Sequence, residues 1–279
     1  MRKLNGNPTR LCSGRRLWRM LFLISFFLPP VAGAQTLRVA AAADLQYVLT
    51  DLAAQYEKQS GAKLAITYGS SGSFFAQIQN GAPFDLFLSA DLDYPKKLVD
   101  AGFADADSLV TYAQGHLVIW LPSDSPLDLK AAGFRTLLDP RIEKIAIANP
   151  EHAPYGRAAI AAIQDAGLYG MIKSKLVFGE NVSQAAQFVQ SGSAQAGLIA
   201  RSLALSPAMK SGKSYELSGR RFPPIGQAAV VLKSSPDKQA ASAFLEFLKT
   251  PEARAIFERY GFSAPPAASA GASATGQKP

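Results

Sequence analysis

Short apolar runs alternate with stretches of helical periodicity along most of this chain, and that alternation limits what it can fold into. The segment Leu45–Gln59 is typical of a helix with one buried face, because it places Leu45, Val48, Leu49, Leu52 and Tyr56 on one side. Apolar runs predict strands at 37–42, 64–68, 85–89, 116–121, 145–148, 176–178, 196–200 and 227–233. Strands that alternate with helices favour parallel strands whose faces are covered by helices, so the predicted class is α/β.

The last predicted strand, 227–233, has no strand partner nearby in sequence, and two helical stretches follow it. We therefore expect the chain to return to its first half. This gives a two-lobed α/β fold in which each lobe is a mixed, mostly parallel sheet flanked by helices. The first lobe comprises residues 35–114 and 225–263, and the second comprises 115–224. The hinge consists of two crossovers near 112–116 and 222–227, and such an arrangement suits a ligand that closes the lobes.

The two ends of the chain look different from the rest. Residues 1–34 combine basic residues, the apolar run Met20–Leu28 and the small-residue end Ala32-Gly33-Ala34, which predicts a secretory signal peptide. The alternative, a membrane anchor, is disfavoured because the run is shorter than the ~20 residues that a bilayer crossing needs. Residues 264–279 are rich in Ala, Ser, Gly and Pro and are predicted to form a disordered tail.

Charge and cysteine content exclude several classes of function. The formal net charge is +8, but residues 1–34 carry six basic residues and no acidic ones, so the remainder is close to +2. A nucleic-acid partner is therefore not expected. The single cysteine, Cys12, also lies in this segment, so the processed chain would have no disulfide, thiolate nucleophile or cysteine-based metal site.

A hydroxyl-rich turn, Gly69–Ser73, lies between a predicted strand and a predicted helix. The first N–H groups of a helix have no acceptor within it, so such a turn can bind an anion. Small residues recur at three other strand-to-helix junctions, 40–44, 149–156 and 179–183. Together they indicate one oxyanion held by donors from several segments.

Simpler explanations exist for some polar residues. The serines of 70–73 could form an ordinary capped turn, and His116 and His152 are expected to be structural. Asp85, Asp91 and Asp93 could hold a hard cation, but a carboxylate flanking a buried strand and a helix cap explain them more simply, so we expect no directly coordinated cation.

An enzyme is the competing class of function. The chain has two histidines and lacks a Gly-x-Ser-x-Gly elbow, a P-loop and a Gly-x-Gly-x-x-Gly motif. Catalysis is therefore not expected. A phosphoester-processing enzyme stays as the alternative, to be tested with a chromogenic phosphate ester.

Several segments together resemble one protein family. These are Val39–Leu45, Tyr68–Gly72, Asn80–Asp91, Asn149–Gly156 and Arg259–Phe262. In order and spacing they are similar to the periplasmic molybdate-binding proteins of ABC transporters, over nearly all of 36–263. The resemblance implies a type II periplasmic binding protein fold. It also implies a monomeric periplasmic receptor that needs no cofactor, binds molybdate or tungstate and delivers it to a membrane permease.

The resemblance also implies ligand-binding residues. A contact at the end of the first strand falls on Asp44, with Ala43 beside it, and a serine hydroxyl and N–H fall on Ser71. Backbone N–H groups from the second lobe fall on Tyr155 and Val182. A tyrosine present in some members falls on Ala200, which leaves open which group replaces it and whether Arg201 contributes.

Asp44 is unexpected beside a dianion, because its carboxylate would repel the ligand. We expect the side chain to turn away and cap the helix that begins at Leu45, while a backbone N–H faces the anion. In the alternative, the carboxylate accepts a proton from hydrogen phosphate, and the ligand is phosphate. A receptor for another tetrahedral oxyanion, such as sulfate, also stays as an alternative.

Overall fold

The computed structural model describes residues 36–217 and 222–265. The predicted signal peptide, residues 1–34, lies outside these ranges, as does the tail from residue 266 onward. The described strands are β1 (Thr36–Ala42), β2 (Lys63–Gly69), β3 (Leu86–Ser89), β4 (Val110–Gly115), β5 (Leu117–Leu121), β6 (Ile145–Ala148), β7 (Leu176–Gly179), β8 (Ala196–Ala200), β9 (Lys213–Glu216) and β10 (Ile225–Val231). The described α-helices are α1 (Gln46–Ser60), α2 (Ser71–Gln79), α3 (Asp93–Asp100), α4 (Leu129–Ala132), α5 (Pro154–Asp165), α6 (Tyr169–Ile172), α7 (Val182–Gln190), α8 (Arg201–Ala204), α9 (Lys238–Leu248) and α10 (Pro251–Arg259).

The described strands form two five-stranded sheets, ordered β2-β1-β3-β10-β4 and β7-β6-β8-β5-β9. We call each sheet with its helices the first and the second lobe. The two-lobed α/β fold is thus confirmed. Parallel pairs occupy one side of each sheet, β2-β1-β3 and β7-β6-β8, and antiparallel pairs occupy the other. Each sheet is therefore mixed, with as many antiparallel as parallel pairings among the described strands.

Two strands lie where the sequence pattern predicts connections. Residues 112–115, expected in a crossover, belong to β4, and β9 lies inside the expected loop 210–224. Both are edge strands that pair antiparallel, β4 with β10 and β9 with β5. Their backbone partners lie far away in sequence, so local composition does not reveal them. One residue, His116, separates β4 in the first sheet from β5 in the second.

Strand β1 is buried on both faces along most of its length, which explains its mostly apolar sequence. Leu37, Val39 and Ala41 belong to the large core that includes residues of α1, α9 and α10, while Ala40 packs with Phe74 and other residues of α2 and α3. Helices on both faces of β1 fix its carboxyl end, where the chain turns into the site.

Candidate anion-binding site

Four segments that begin helices meet at one small cavity between the lobes. They are the 3₁₀ turn Ala43–Leu45 after β1, the start of α2 after β2, and the starts of α5 and α7 after β6 and β7. The cavity is lined by Ala42, Ala43, Asp44, Gly69, Ser70, Ser71, Ala90, Ala153, Pro154, Tyr155, Asn181 and Val182. All five residues assigned from the resemblance, Ala43, Asp44, Ser71, Tyr155 and Val182, are in this set, and none is more than 4% exposed.

The space open to the centre of a water-sized sphere is about 10 Å³, close to the ~10–15 Å³ that one water molecule requires. In this closed form the cavity is therefore small, and it excludes a sugar or a peptide. Its lining contains no lysine, arginine or histidine. Positive potential comes instead from first-turn N–H groups and helix dipoles, which stabilise negative charge at helix starts.

The Ser71 side chain is held in an orientation that favours donation into the cavity. Its Oγ accepts the N–H of Ala90 at 3.0 Å, and the residue is fully buried. Because that oxygen already accepts a bond from the protein, its proton is available for a ligand. The Ser71 N–H, in the first turn of α2, has no acceptor within its own helix.

Side-chain caps fix the starts of two of these helices. Ser70 Oγ accepts the N–H of Ser73 at 3.3 Å, and Asn181 Oδ1 accepts those of Ser183 and Gln184 at 3.0 and 3.1 Å. Each cap satisfies N–H groups one or two residues beyond the site residue. The N–H groups of Ser71 and Val182 are therefore left for a ligand.

The Tyr155 side chain crosses the base of the cleft, in addition to its backbone position at the start of α5. A Cβ placed on Gly115 would collide with the Tyr155 hydroxyl and lie 3.0 Å from Gln227 Nε2. Gly115 is therefore needed where the chain leaves the first lobe, because no larger residue leaves room for that ring.

The structure shows that the capping role expected of Asp44 is wrong. The residues before α1 form a 3₁₀ turn, so the cap position of α1 falls on Leu45, and neither the turn nor α1 has a side-chain cap. The Asp44 carboxyl group is instead fully buried, and its Oδ2 accepts the amide N–H of Gln227 at 2.8 Å. This partner lies 183 residues away, on β10, so local sequence could not reveal it.

Gln227 lies at a register shift between β10 and β4. Such irregularities re-aim side chains near functional sites. Its Oε1 accepts the Tyr112 hydroxyl at 3.4 Å, while its amide nitrogen donates to Asp44. The Tyr155 hydroxyl also faces this group, yet neither it nor Asp44 Oδ1 completes a hydrogen bond among the described residues.

Burial raises the pKa of Asp44 to about 7, against the opposing effects of the Tyr155 hydroxyl, its own backbone N–H and Gln227. Burial and the charge of Asp44 together raise the pKa values of Tyr112 and Tyr155 well above the ordinary tyrosine value. Near neutral pH, Asp44 is therefore the group of this cluster that changes its charge.

Neither Ala200 nor Arg201 supplies a donor to the cavity. Ala200 is fully buried but does not line it. Arg201 Nη1 pairs with Glu216 Oε2 at 3.1 Å, away from the lining residues. The tyrosine hydroxyl that does face Asp44 is that of Tyr155, to which the resemblance assigned only a backbone role.

Hydrogen bonds join the lobes around the cavity. The Gly72 N–H donates to the His152 carbonyl at 2.8 Å, Ser183 Oγ donates to Gln46 Oε1 at 3.0 Å, and Ser73 Oγ donates to Glu180 Oε1 at 2.9 Å. Farther along the cleft, Arg157 of the second lobe pairs with Asp91 of the first. The described structure is therefore a closed form.

Most of the other polar residues considered in the sequence have neighbours outside the cavity lining. His116 lies 3.0 Å from both Glu216 and Ser263. His152 Nε2 lies 3.3 Å from Glu180 Oε1 but completes no hydrogen bond among the described residues. Asp85 accepts three bonds from the backbone and side chain of Arg38.

Sequence reasoning missed several lining residues. Those adjacent to assigned positions are Ala42, Gly69, Ser70, Ala153, Pro154 and Asn181, and all of them lie in the four small-residue junctions. Ala90 was also missed, although it follows β3 at the same sheet edge and belongs to a segment that carries the resemblance. Gln227, which holds Asp44, left no local signal.

Comparison with known proteins agrees with this geometry. Residues 37–263 match the family model of the bacterial extracellular solute-binding proteins. The molybdate-binding protein ModA of Rhodobacter capsulatus is 39% identical over 243 residues, which cover 87% of this chain and 93% of that protein. ModA of Azotobacter vinelandii is 39% identical over 236 residues, which cover 83% of this chain and 91% of that protein. The solved Azotobacter vinelandii periplasmic molybdate-binding protein superposes with a TM-score of 0.78 at 36% identity, covering 82% of this chain and all of that one. The chain therefore belongs to the bacterial extracellular solute-binding protein family.

Proposed function

We propose that this protein captures molybdate, and tungstate as well, between its lobes and delivers it to the membrane permease of an ABC importer. The observation that carries the proposal is the convergence of four helix-starting segments, two from each lobe, on a cavity with room for one small ligand. The molybdate-binding relatives, which match most of the chain, support this choice among oxyanions.

The chemistry of the lining fits a fully ionised tetrahedral dianion. Such a ligand accepts hydrogen bonds and donates none, so it suits a site rich in N–H and O–H donors. Its charge can be spread over several dipoles and needs no paired cation. Ala43, Asp44, Ser71, Tyr155 and Val182 are the residues that we assign to it.

Titration calorimetry with molybdate, tungstate, sulfate and phosphate tests the proposal. We expect molybdate and tungstate to bind much more tightly than sulfate, since donors set for the larger tetrahedron cannot all come within ~3.2 Å of sulfate oxygens. Equal sulfate affinity would contradict the proposal. Tighter binding of phosphate would favour the alternative in which Asp44 accepts a proton from hydrogen phosphate.

The remaining parts of the proposal concern how the receptor works. Within residues 36–217 and 222–265, no helix is long and apolar enough to cross a membrane. We propose a monomeric periplasmic receptor that needs no cofactor and whose export is directed by a signal peptide, residues 1–34. We also propose that it catalyses no reaction, so it should leave a chromogenic phosphate ester intact while binding molybdate.

A further inference from the structure

The cluster behind the cavity contains a carboxyl group whose environment is unusual for an anion site. Asp44 lines the cavity and is fully buried. Its Oδ2 is occupied by the Gln227 amide, which can only donate at that nitrogen. Oδ1 has no hydrogen-bond partner among the described residues, and the neighbouring Tyr155 hydroxyl has none either.

In the part of the chain that the structure describes, no cation faces this carboxyl group from the elements packed around it. The titratable groups that face it are the phenols of Tyr112 on β4 and Tyr155 on α5. From α8, Ser202 donates its hydroxyl to the Asp44 backbone carbonyl at 2.7 Å, while Arg201 is paired with Glu216. From α7, Asn181 and Val182 reach the cavity, and neither side chain is ionisable.

An ionised Asp44 would therefore lie beside a bound dianion with no cationic side chain facing it among residues 36–217 and 222–265 to offset the repulsion. A neutral Asp44 removes that repulsion and also supplies a donor. Since Oδ2 accepts from Gln227, the proton must reside on Oδ1, the atom that has no partner.

We propose that Asp44 couples anion capture to proton uptake. The carboxyl group takes a proton from solvent onto Oδ1 when a fully ionised oxyanion binds, and this O–H donates toward the anion directly or through the Tyr155 hydroxyl. The inference rests on the proposed function and gives Asp44 a defined role in that site. It replaces the expected capping role, and it reverses the direction of donation in the hydrogen phosphate alternative.

Burial raises the pKa of Asp44 to about 7 in the closed form, and this value sets the pH range in which the coupling is visible. Below it Asp44 is already neutral, so binding takes up no proton. Above it one proton must be added, and a nearby dianion raises the pKa of Asp44 further. The dissociation constant should therefore rise about tenfold per pH unit above neutrality.

The test is calorimetry with molybdate between pH 6 and 9, in buffers of different ionisation enthalpy. Wild-type protein should show weakening affinity above pH 7 and uptake approaching one proton per ligand near pH 8.5. In Asp44→Asn the amide mimics the neutral acid, so its affinity should not depend on pH and should exceed that of wild type at least tenfold at pH 9. His152→Gln is the control, because it removes a titratable group near the cleft and should keep the wild-type pH dependence.

The outcomes separate this inference from the proposed function. Molybdate binding by wild type with constant affinity and no proton uptake would overturn the coupling alone. A pH dependence that persists in Asp44→Asn, or disappears in His152→Gln, would assign the proton to another group and also overturn it. If molybdate fails to bind at any pH, the proposed function falls and the inference with it. The proton count in wild type decides the matter even if Asp44→Asn does not fold.

Discussion

At the scale of single residues, donors at the site are prepared by bonds made elsewhere. Ser71 Oγ accepts the Ala90 N–H, and Gln227 occupies one oxygen of Asp44. In both cases a bond to the protein fixes which atom faces the cavity. Orientation of this kind matters because a donor that is already ordered loses little entropy when a ligand arrives.

We expect Ser71→Ala to weaken molybdate binding by about 10- to 150-fold. The variant removes one hydroxyl donor to a buried charged ligand, and a hydrogen bond of this kind is worth roughly 1.5–3 kcal/mol. A tenfold change in affinity corresponds to ~1.4 kcal/mol. Calorimetry measures the loss. Ser206→Ala is the matched control, since Ser206 is also buried but does not line the cavity. Wild-type affinity in a folded Ser71→Ala protein would show that Ser71 is not a ligand.

At the scale of helices and strands, local patterns predicted the elements that carry most of the site. The strands β1, β2, β6, β7 and β8 lie within two residues of their predicted bounds, because each is a largely apolar run. A small-residue junction follows β1, β2, β6 and β7. Edge strands β4 and β9 were missed, because backbone pairing with distant partners stabilises them. The predicted orientation of Asp44 was wrong for the same reason, because Gln227 on the distant strand β10 donates a hydrogen bond to its carboxyl group.

The helix caps give a prediction at this scale. Asn181→Ala removes the cap of α7 and should lower the free energy of unfolding by about 1 kcal/mol. It should also weaken molybdate binding, because the Val182 N–H is no longer held in place. Asp237→Ala removes a comparable cap from α9, where Asp237 accepts the Ala240 N–H at 2.9 Å away from the lining residues. Denaturant unfolding and calorimetry should show similar stability losses but an affinity loss only for Asn181→Ala. Equal affinities in both variants would contradict the role of this cap in binding.

At the scale of the whole molecule, the site exists only when the lobes meet. Ser71 and Asp44 belong to the first lobe, and Tyr155 and Val182 belong to the second. Closure brings the start of α2 against the turn before α5, where the Gly72 N–H donates to the His152 carbonyl. A ligand that contacts both sides stabilises the closed form by its differential affinity for that form.

Gly72 permits the close contact between the lobes at His152. We therefore expect its replacement to weaken ligand binding without a matching loss of stability in the open protein. A Cβ at Gly72 would lie 2.5 Å from the Tyr94 hydroxyl of its own lobe, and 2.7 Å from both Cβ and the carbonyl oxygen of His152 in the other lobe, so Gly72→Ala should hinder full closure. Overpacking costs roughly 1–3 kcal/mol, which corresponds to an affinity loss of about 5- to 150-fold. In the open protein only the Tyr94 hydroxyl, the far end of a side chain, must shift, and alanine favours helices more than glycine does, so the stability of the open protein should change little. Gly170→Ala is the matched control, since a Cβ at this helical glycine meets nothing within 4 Å. Calorimetry with molybdate and thermal unfolding without it measure the two effects. Unchanged affinity in Gly72→Ala would mean that the lobes need not approach this closely to hold the anion.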